Sequence, residues 1–147
     1  ASTSALDTLT ERVGVCRDFA HLMIALCRAL NIPARFVTGI DYGADPALGP
    51  SDFHAYVEAF LGDRWYLFDP SATAIPMGLM RFGVGRDAAD VSFATIFGSV
   101  RAEPPKIVIE AAADAFSGAE LPRRRPDALS TDDGSAVLIG ARLAPLA

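Results

Sequence analysis

The order of segments along the chain predicts an α+β domain. Two helical patterns occupy the first thirty residues, and three strand-like runs follow, at 34–40, 53–61 and 64–69. The last two runs are joined by Gly62-Asp63, a two-residue hairpin signal that makes their pairing antiparallel. Helices first and antiparallel strands afterwards is the signature of α+β rather than of alternating βαβ units.

Ser4 with Asp7 three positions on, then Leu6, Leu9 and Val13, reads as a short capped helix ending near Gly14. A second helix is expected from Val15 or Cys16 to about Leu30, stopped by Asn31-Ile32-Pro33. Because it is apolar on nearly every side, it reads as a buried central helix. Ala34 to Ile40 follows as a strand. The segment Asp41 to Asp52 carries two Gly and two Pro and reads as a surface loop beside the strand that follows. Ser71 to Arg86 is expected to be irregular, Asp87 to cap one helical turn with Asp90, and Val91–Phe97 and Lys106–Ala111 to be two more strands. The expected division is a core over 1–116 and a Pro-, Arg- and Asp-rich tail over 117–147, partly loose, in which Ala136–Leu143 is the segment able to dock.

A chain of 147 residues, 51% hydrophobic, can bury a substantial core. Its net charge of −5 and the lack of a basic stripe interleaved with aromatics argue against nucleic-acid binding. Arg123-Arg124-Arg125, flanked by Pro122 and Pro126, reads as a solvated linker. The longest apolar stretch, Phe19–Leu30, falls short of the ~20 residues that span a bilayer, and no signal peptide is evident. Cys16 and Cys27 would lie ~16 Å apart on one helix, beyond disulfide reach, so free thiols and a cytoplasmic location are expected.

Cys16 opens the second helix, where the dipole and backbone N–H groups stabilise a thiolate and can face a developing oxyanion. If Gly62 and Asp63 form the hairpin loop, Leu61 faces Arg64, Tyr56 faces Asp69 and His54 faces Ser71. His54 and Asp69 then become diagonal neighbours on one face, within reach of an imidazole–carboxylate hydrogen bond. That is the arrangement of a base and the group that orients it. His21 is the rival base, but it lies about 500° around the helix from Cys16 and reads as structural. Asp18 reads as a first-turn carboxylate paired with a nearby Arg, and Cys27 as plain core.

Four segments carry a family resemblance. Gly-Val-Cys-Arg-Asp-Phe-Ala at 14–20, Ala-Leu-Cys-Arg-Ala-Leu-Asn-Ile-Pro-Ala-Arg at 25–35, Phe-His-Ala-Tyr-Val-Glu at 53–58 and Trp-Tyr-Leu-Phe-Asp-Pro at 65–70 resemble the bacterial transglutaminase-like domain. The tract Gly-Arg-Asp-Ala-Ala-Asp-Val at 85–91 resembles its bacterial branch. That superfamily includes cysteine peptidases and amidases as well as true transglutaminases. The resemblance implies a papain-like fold with the Cys-bearing helix packed on an antiparallel sheet. It also implies Cys16 as nucleophile, His54 as base and Asp69 as orienting residue.

The expected function is acyl transfer from a peptide or amide through a Cys16 thioester, with hydrolysis favoured and amine crosslinking as the alternative. A non-catalytic binding or assembly module retaining the fold is the alternative from another class. No metal or organic cofactor is called for. Tyr42, at the start of the 41–52 loop, and Tyr56 and Trp65, on the His54 face, are the candidates for lining a substrate cleft.

Overall fold

The computed structural model describes residues 3–42, 52–101, 103, 106–109, 122–124, 126, 128–132 and 137–139. Helix α1 (Ala5–Glu11) starts at Ser4 as the sequence predicts: the Ser4 side chain accepts from Asp7 N–H, and the Asp7 carboxylate accepts from Ser4 N–H. It ends where Arg12 turns left-handed at φ 57° and returns its N–H to Thr8. Helix α2 (Cys16–Ala29) begins directly at the cysteine. It has no side-chain acceptor at its N-cap, Val15. Instead Asp18 Oδ2 accepts the Val15 N–H at 3.0 Å, and Arg17 pairs with Asp18 Oδ1 at 2.8 Å.

Six strands form one antiparallel sheet in the order β4-β1-β2-β3-β5-β6. They are β1 (Ala34–Asp41), β2 (Phe53–Leu61), β3 (Arg64–Phe68), β4 (Leu79–Gly85), β5 (Ala128–Ser130) and β6 (Val137–Ile139). The β2–β3 hairpin turns at Gly62-Asp63 with Leu61 opposite Arg64 and Val57 opposite Phe68, the register expected from sequence. Gly62 is at φ +67° with open space where a side chain would be, so the tight turn carries no steric penalty there.

Both faces of the sheet are covered. On one, Ala20 and Ile24 of α2 pack on Ala34, Phe36, Ala55 and Val57. On the other, Val37, Tyr56, Leu67, Ala74 and Leu129 form a second apolar cluster. Alternation along β1 and β2 accounts for this, since both strands are apolar at successive positions and feed two cores. Helix α2 is therefore one-sided, not apolar-buried all round: its Leu26 and the following Leu30 are exposed.

Several expected elements are corrected. Ser71–Arg86 is not irregular throughout: a 3₁₀ turn at Pro76–Gly78 leads into β4. The sequence of β4, Leu-Met-Arg-Phe-Gly-Val-Gly, alternates Met80, Phe82 and Val84 with Arg81, Gly83 and Gly85, and the two glycines hide the strand by reading as loop residues. Val91–Phe97 is not a strand, nor are residues 106–109; Glu110 and Ala111 lie outside the described residues. Asp87 accepts from Ala89 N–H at 2.8 Å but caps a turn, not a helix. Of the Asp41–Asp52 loop, residues 43–51 lie outside the described residues. Within the stretch expected as a tail, β5 adds to the sheet beside β3 through Tyr66↔Ser130 and Leu67↔Leu129. No helix among the described residues is long and apolar enough to cross a membrane.

Candidate active site

The three residues singled out in the sequence converge where the sheet narrows. β3 stops pairing at Phe68, opposite Val57, so β2 has no β3 neighbour alongside residues 54–56. The N-terminus of α2 arrives at this opening. The Ala55 N–H, no longer needed by a ladder there, donates to Cys16, as does the Arg17 N–H of the first helical turn. His54 points to the face opposite α2, but at the open edge its ring reaches Cys16, and both line one cavity. His54 Nε2 lies 3.1 Å from Asp69 Oδ1, which leaves Nδ1 as the ring atom available to the thiol.

Asp69 is held from several sides. Its Oδ1 accepts from Ser71 Oγ at 2.6 Å and Ser71 N–H at 3.0 Å, and its Oδ2 accepts from Ala74 N–H at 2.7 Å. Ser71 also stands 3.5 Å from His54 Nε2. The hairpin register already pointed to Ser71, placing it opposite His54. The Ala74 N–H depends on how the 70–75 segment curls and has no sequence signal.

The electrostatics follow from these contacts. Burial pushes the Cys16 thiol up, but the His54 ring and the Ala55 and Arg17 N–H groups outweigh it and leave the thiol below its ordinary range. Burial disfavours a charged His54, yet Asp69 on one side and Cys16 on the other raise it to about 9. Burial likewise disfavours an ionised Asp69, but His54, Ser71 and Ala74 bring it down to about 2. The set favours thiolate, imidazolium and carboxylate together. By contrast, burial raises Cys27, and no partner offsets it.

Tyr56 is fully buried behind the site, its ring edge-on to His54 at 4.6 Å between centroids. Its hydroxyl and the buried Asp41 carboxylate face one another, and the other Asp41 oxygen accepts the Ile75 N–H at 3.1 Å. Burial raises both groups above their ordinary values. Trp65 shares the sheet face of His54, but it stacks under Arg35 at 4.1 Å and against Phe60 at 5.3 Å. Tyr42 anchors its N–H on Gly78 O at 2.8 Å. Neither Tyr42, Tyr56 nor Trp65 is among the described residues lining the cavity at Cys16. His21 is a structural acceptor, as expected: its Nε2 takes the Ala88 N–H at 3.2 Å, and its ring lies against Phe36.

The cavity beside Cys16 has a volume of about 230 Å³. Its apolar walls are Phe36, Phe53, Ala88, Val91 and Phe93, none of which was singled out from the sequence as a site residue. The signal that could have found them is weak, because it requires knowing that 86–93 folds back over β1 and β2.

Comparison with known proteins bears on the fold and the family. The profile of the Transglutaminase-like superfamily matches residues 1–70, which include Cys16, His54 and Asp69. An uncharacterized protein of Mycobacterium leprae is 37% identical over 95 residues, covering 61% of this chain and 34% of that protein. An uncharacterized protein of Mycobacterium tuberculosis is 33% identical over 101 residues, covering 61% of this chain and 32% of its own length. A solved structure, "Putative Cysteine Protease from Cytophaga hutchinsonii", is 54% identical with a TM-score of 0.61, covering 67% of this chain and 33% of that one. The chain thus spans about a third of the length of the relatives it matches. With the helix-borne cysteine packed on an antiparallel sheet and the profile lying over its three motifs, this chain carries a domain of the transglutaminase-like superfamily.

Proposed function

We propose that this domain transfers acyl groups from peptide or amide substrates through a thioester at Cys16, with water as the usual acceptor. The supporting observation is the coupling of Cys16 to His54 at a helix N-terminus, with Asp69 holding the far side of the imidazole. The Cys16 thiolate attacks the carbonyl carbon, and the C–S bond forms as the π electrons move to oxygen. Backbone N–H groups at the start of α2 face the developing oxyanion. As the tetrahedral species collapses, the C–N bond breaks and the imidazolium of His54 gives its proton to the departing amine. His54 then takes a proton from water, whose oxygen attacks the thioester. The acid leaves, and the thiolate–imidazolium pair is restored.

Hydrolysis is preferred to amine crosslinking because water reaches a thioester without a binding site of its own, whereas an amine acceptor has to be held beside it. The test is alkylation by iodoacetamide at pH 6, read by intact mass and peptide mapping. Cys16 should react far faster than Cys27, and a panel of peptide amides should be cleaved by the native protein only while Cys16 is unmodified. Equal labelling of the two thiols would overturn the reading in favour of a non-catalytic binding module.

A further inference from the structure

The cavity next to Cys16 is enclosed by a wall that the rest of the protein takes some trouble to hold. Residues 86–93 leave β4 and fold back toward β2. Their placement needs Gly85, since a Cβ there would come within 2.5 Å of Asp90 Cβ, and Gly83 gives Val91 room, since a Cβ there would stand 3.2 Å from Val91 Cγ1. Helix α2 pins the same wall from the other side. Arg28 donates to Arg86 O at 2.7 Å, and His21 accepts the Ala88 N–H. Within the wall, Arg86 and Asp90 form a two-pronged ion pair at 2.9 and 3.0 Å. The result sets Phe93 on Phe53 with ring centroids 4.0 Å apart and Val91 above Phe36 and Thr38.

The cavity so formed starts at the sulfur and is apolar. Besides Cys16 and His54, its only ionisable described lining residue is Arg17, already paired with Asp18 at 2.8 Å. At about 230 Å³ it is smaller than the ~300–1,000 Å³ that hold a whole drug-sized ligand. It fits one side chain. A second, more open cavity continues it past Phe53 and Phe93 to Phe82 and Gly83.

Resting on the thioester reading, we infer that this pocket is the specificity pocket for the acyl-side residue, and that it selects uncharged aliphatic or aromatic side chains. The acyl carbonyl carbon becomes bonded to Cys16 Sγ, and its side chain begins two bonds further on. A cavity opening at Sγ is therefore within that side chain's reach, whereas the departing amine is released. Phe93 and Val91 are the selecting residues. An apolar side chain there removes its own surface and that of four or five wall residues from water. A carboxylate or ammonium would lose its hydration with no partner to replace it.

The test uses acetyl-Ala-Xaa acyloxymethyl ketones with Xaa Gly, Leu, Phe, Asp or Lys, on the full chain. The Cys16 sulfur forms a C–S bond to the ketone methylene as the C–O bond breaks and the carboxylate leaves, so intact mass gives the inactivation rate. Leu and Phe probes should react at least about tenfold faster than Gly, with Asp and Lys no faster than Gly. Phe93 is 55% exposed, so Phe93→Ala and Phe93→Asp leave the core in place. Phe93→Ala should narrow the Leu/Gly ratio severalfold, and Phe93→Asp should raise the Lys probe relative to Leu. Iodoacetamide alkylation of Cys16, measured in each variant, gives the intrinsic thiol reactivity against which that variant's probe rates are normalised. Equal rates for all five probes, beside fast and selective iodoacetamide labelling, would overturn the pocket and leave the thioester reading standing. So would a side-chain preference that survives both Phe93 variants. If iodoacetamide does not distinguish Cys16 from Cys27, the thioester reading fails and the pocket with it.

Discussion

His54 Nε2 lies 3.1 Å from Asp69 Oδ1 just past the end of the β2–β3 ladder, whose last pair is Val57↔Phe68. The carboxylate is not held by the sheet at that level. It is held by Ser71 and by the Ala74 N–H, while the imidazole is backed by the buried Tyr56 ring. A carboxylate with that many donors stays ionised, so it can keep the ring in the Nε2–H tautomer and favour its charged form. The placement of Asp69 is therefore a property of the 69–74 segment as much as of the hairpin.

Cys16→Ala should abolish amide cleavage, because Sγ is the only bond-forming atom in the proposed mechanism. The thiol is small and sits at a helix start, so the melting temperature should change little compared with the ~2–5 kcal/mol of a buried Leu truncation. Single-turnover cleavage and a thermal melt of the same sample check both halves. Full activity in the variant would remove the thioester mechanism.

Asp69→Asn should lower turnover by up to about 10⁴, the cost of the same change in the serine triad, where geometry survives. Ser71→Ala should cost less. It removes one donor to Asp69 and leaves the Ser71 and Ala74 N–H groups, a change on the order of 1 kcal/mol or about fivefold in rate. The measurement is kcat/KM for both variants across pH. An unchanged Asp69→Asn profile would show that Asp69 does not act on His54.

The pH dependence follows from the site's three shifts. His54 is raised from 6.5 to about 9, so the stability it contributes is fully present below 6.5 and is lost as pH rises through about 9. Asp69 is lowered from 3.8 to about 2, so its contribution is present above 3.8 and is lost as pH falls through about 2. Cys16 is lowered from 9.0, and its contribution is present above 9.0 and lost as pH falls through its folded value. Activity should therefore show an alkaline limb near pH 9, belonging to the coupled Cys16–His54 pair. In Cys16→Ala the His54 titration should move down. With only two histidines in the chain, ring-proton NMR resolves it directly.

Glu58→Gln should destabilise the fold without touching the site. Glu58 is fully buried, and it takes Arg81 at 2.8 Å, Thr131 Oγ1 at 2.7 Å and the Arg35 guanidinium. It thus ties β2 to β1, β4 and the segment after β5. Both arginines are about a third exposed and can regain water, so the expected loss is about 2–3 kcal/mol, below the ~3–5 of breaking a wholly buried pair. Urea unfolding measures it, and iodoacetamide labelling of Cys16 should be unaffected.

The parts of the fold legible in the sequence are those with a local cause. The α1 cap needed only Ser4 and Asp7, and the hairpin register needed only Gly62-Asp63 and a period of two. β4 was hidden because Gly83 and Gly85 look like loop residues. They are glycines so that Asp90 and Val91 can lie against the strand. The Val91–Phe97 run looked like a strand because Val91 and Phe93 are apolar, but they are apolar to wall a cavity.

The sequence by itself determined that Cys16 opens a helix and how His54 stands to Asp69, because a helix start and a two-residue hairpin are geometries set within a few positions. It could not show that His54 lies on the face away from α2 and still meets Cys16. That depends on β3 ending at Phe68, which opens the edge of β2 to the helix N-terminus and frees the Ala55 N–H for the thiolate. Nor could it show that residues 86–93 form the wall beside the sulfur, held by Arg28 and His21 from sixty residues away in the chain. Such contacts arise from packing between distant segments, where the free energy lies in shared burial and leaves no periodic mark on either segment alone.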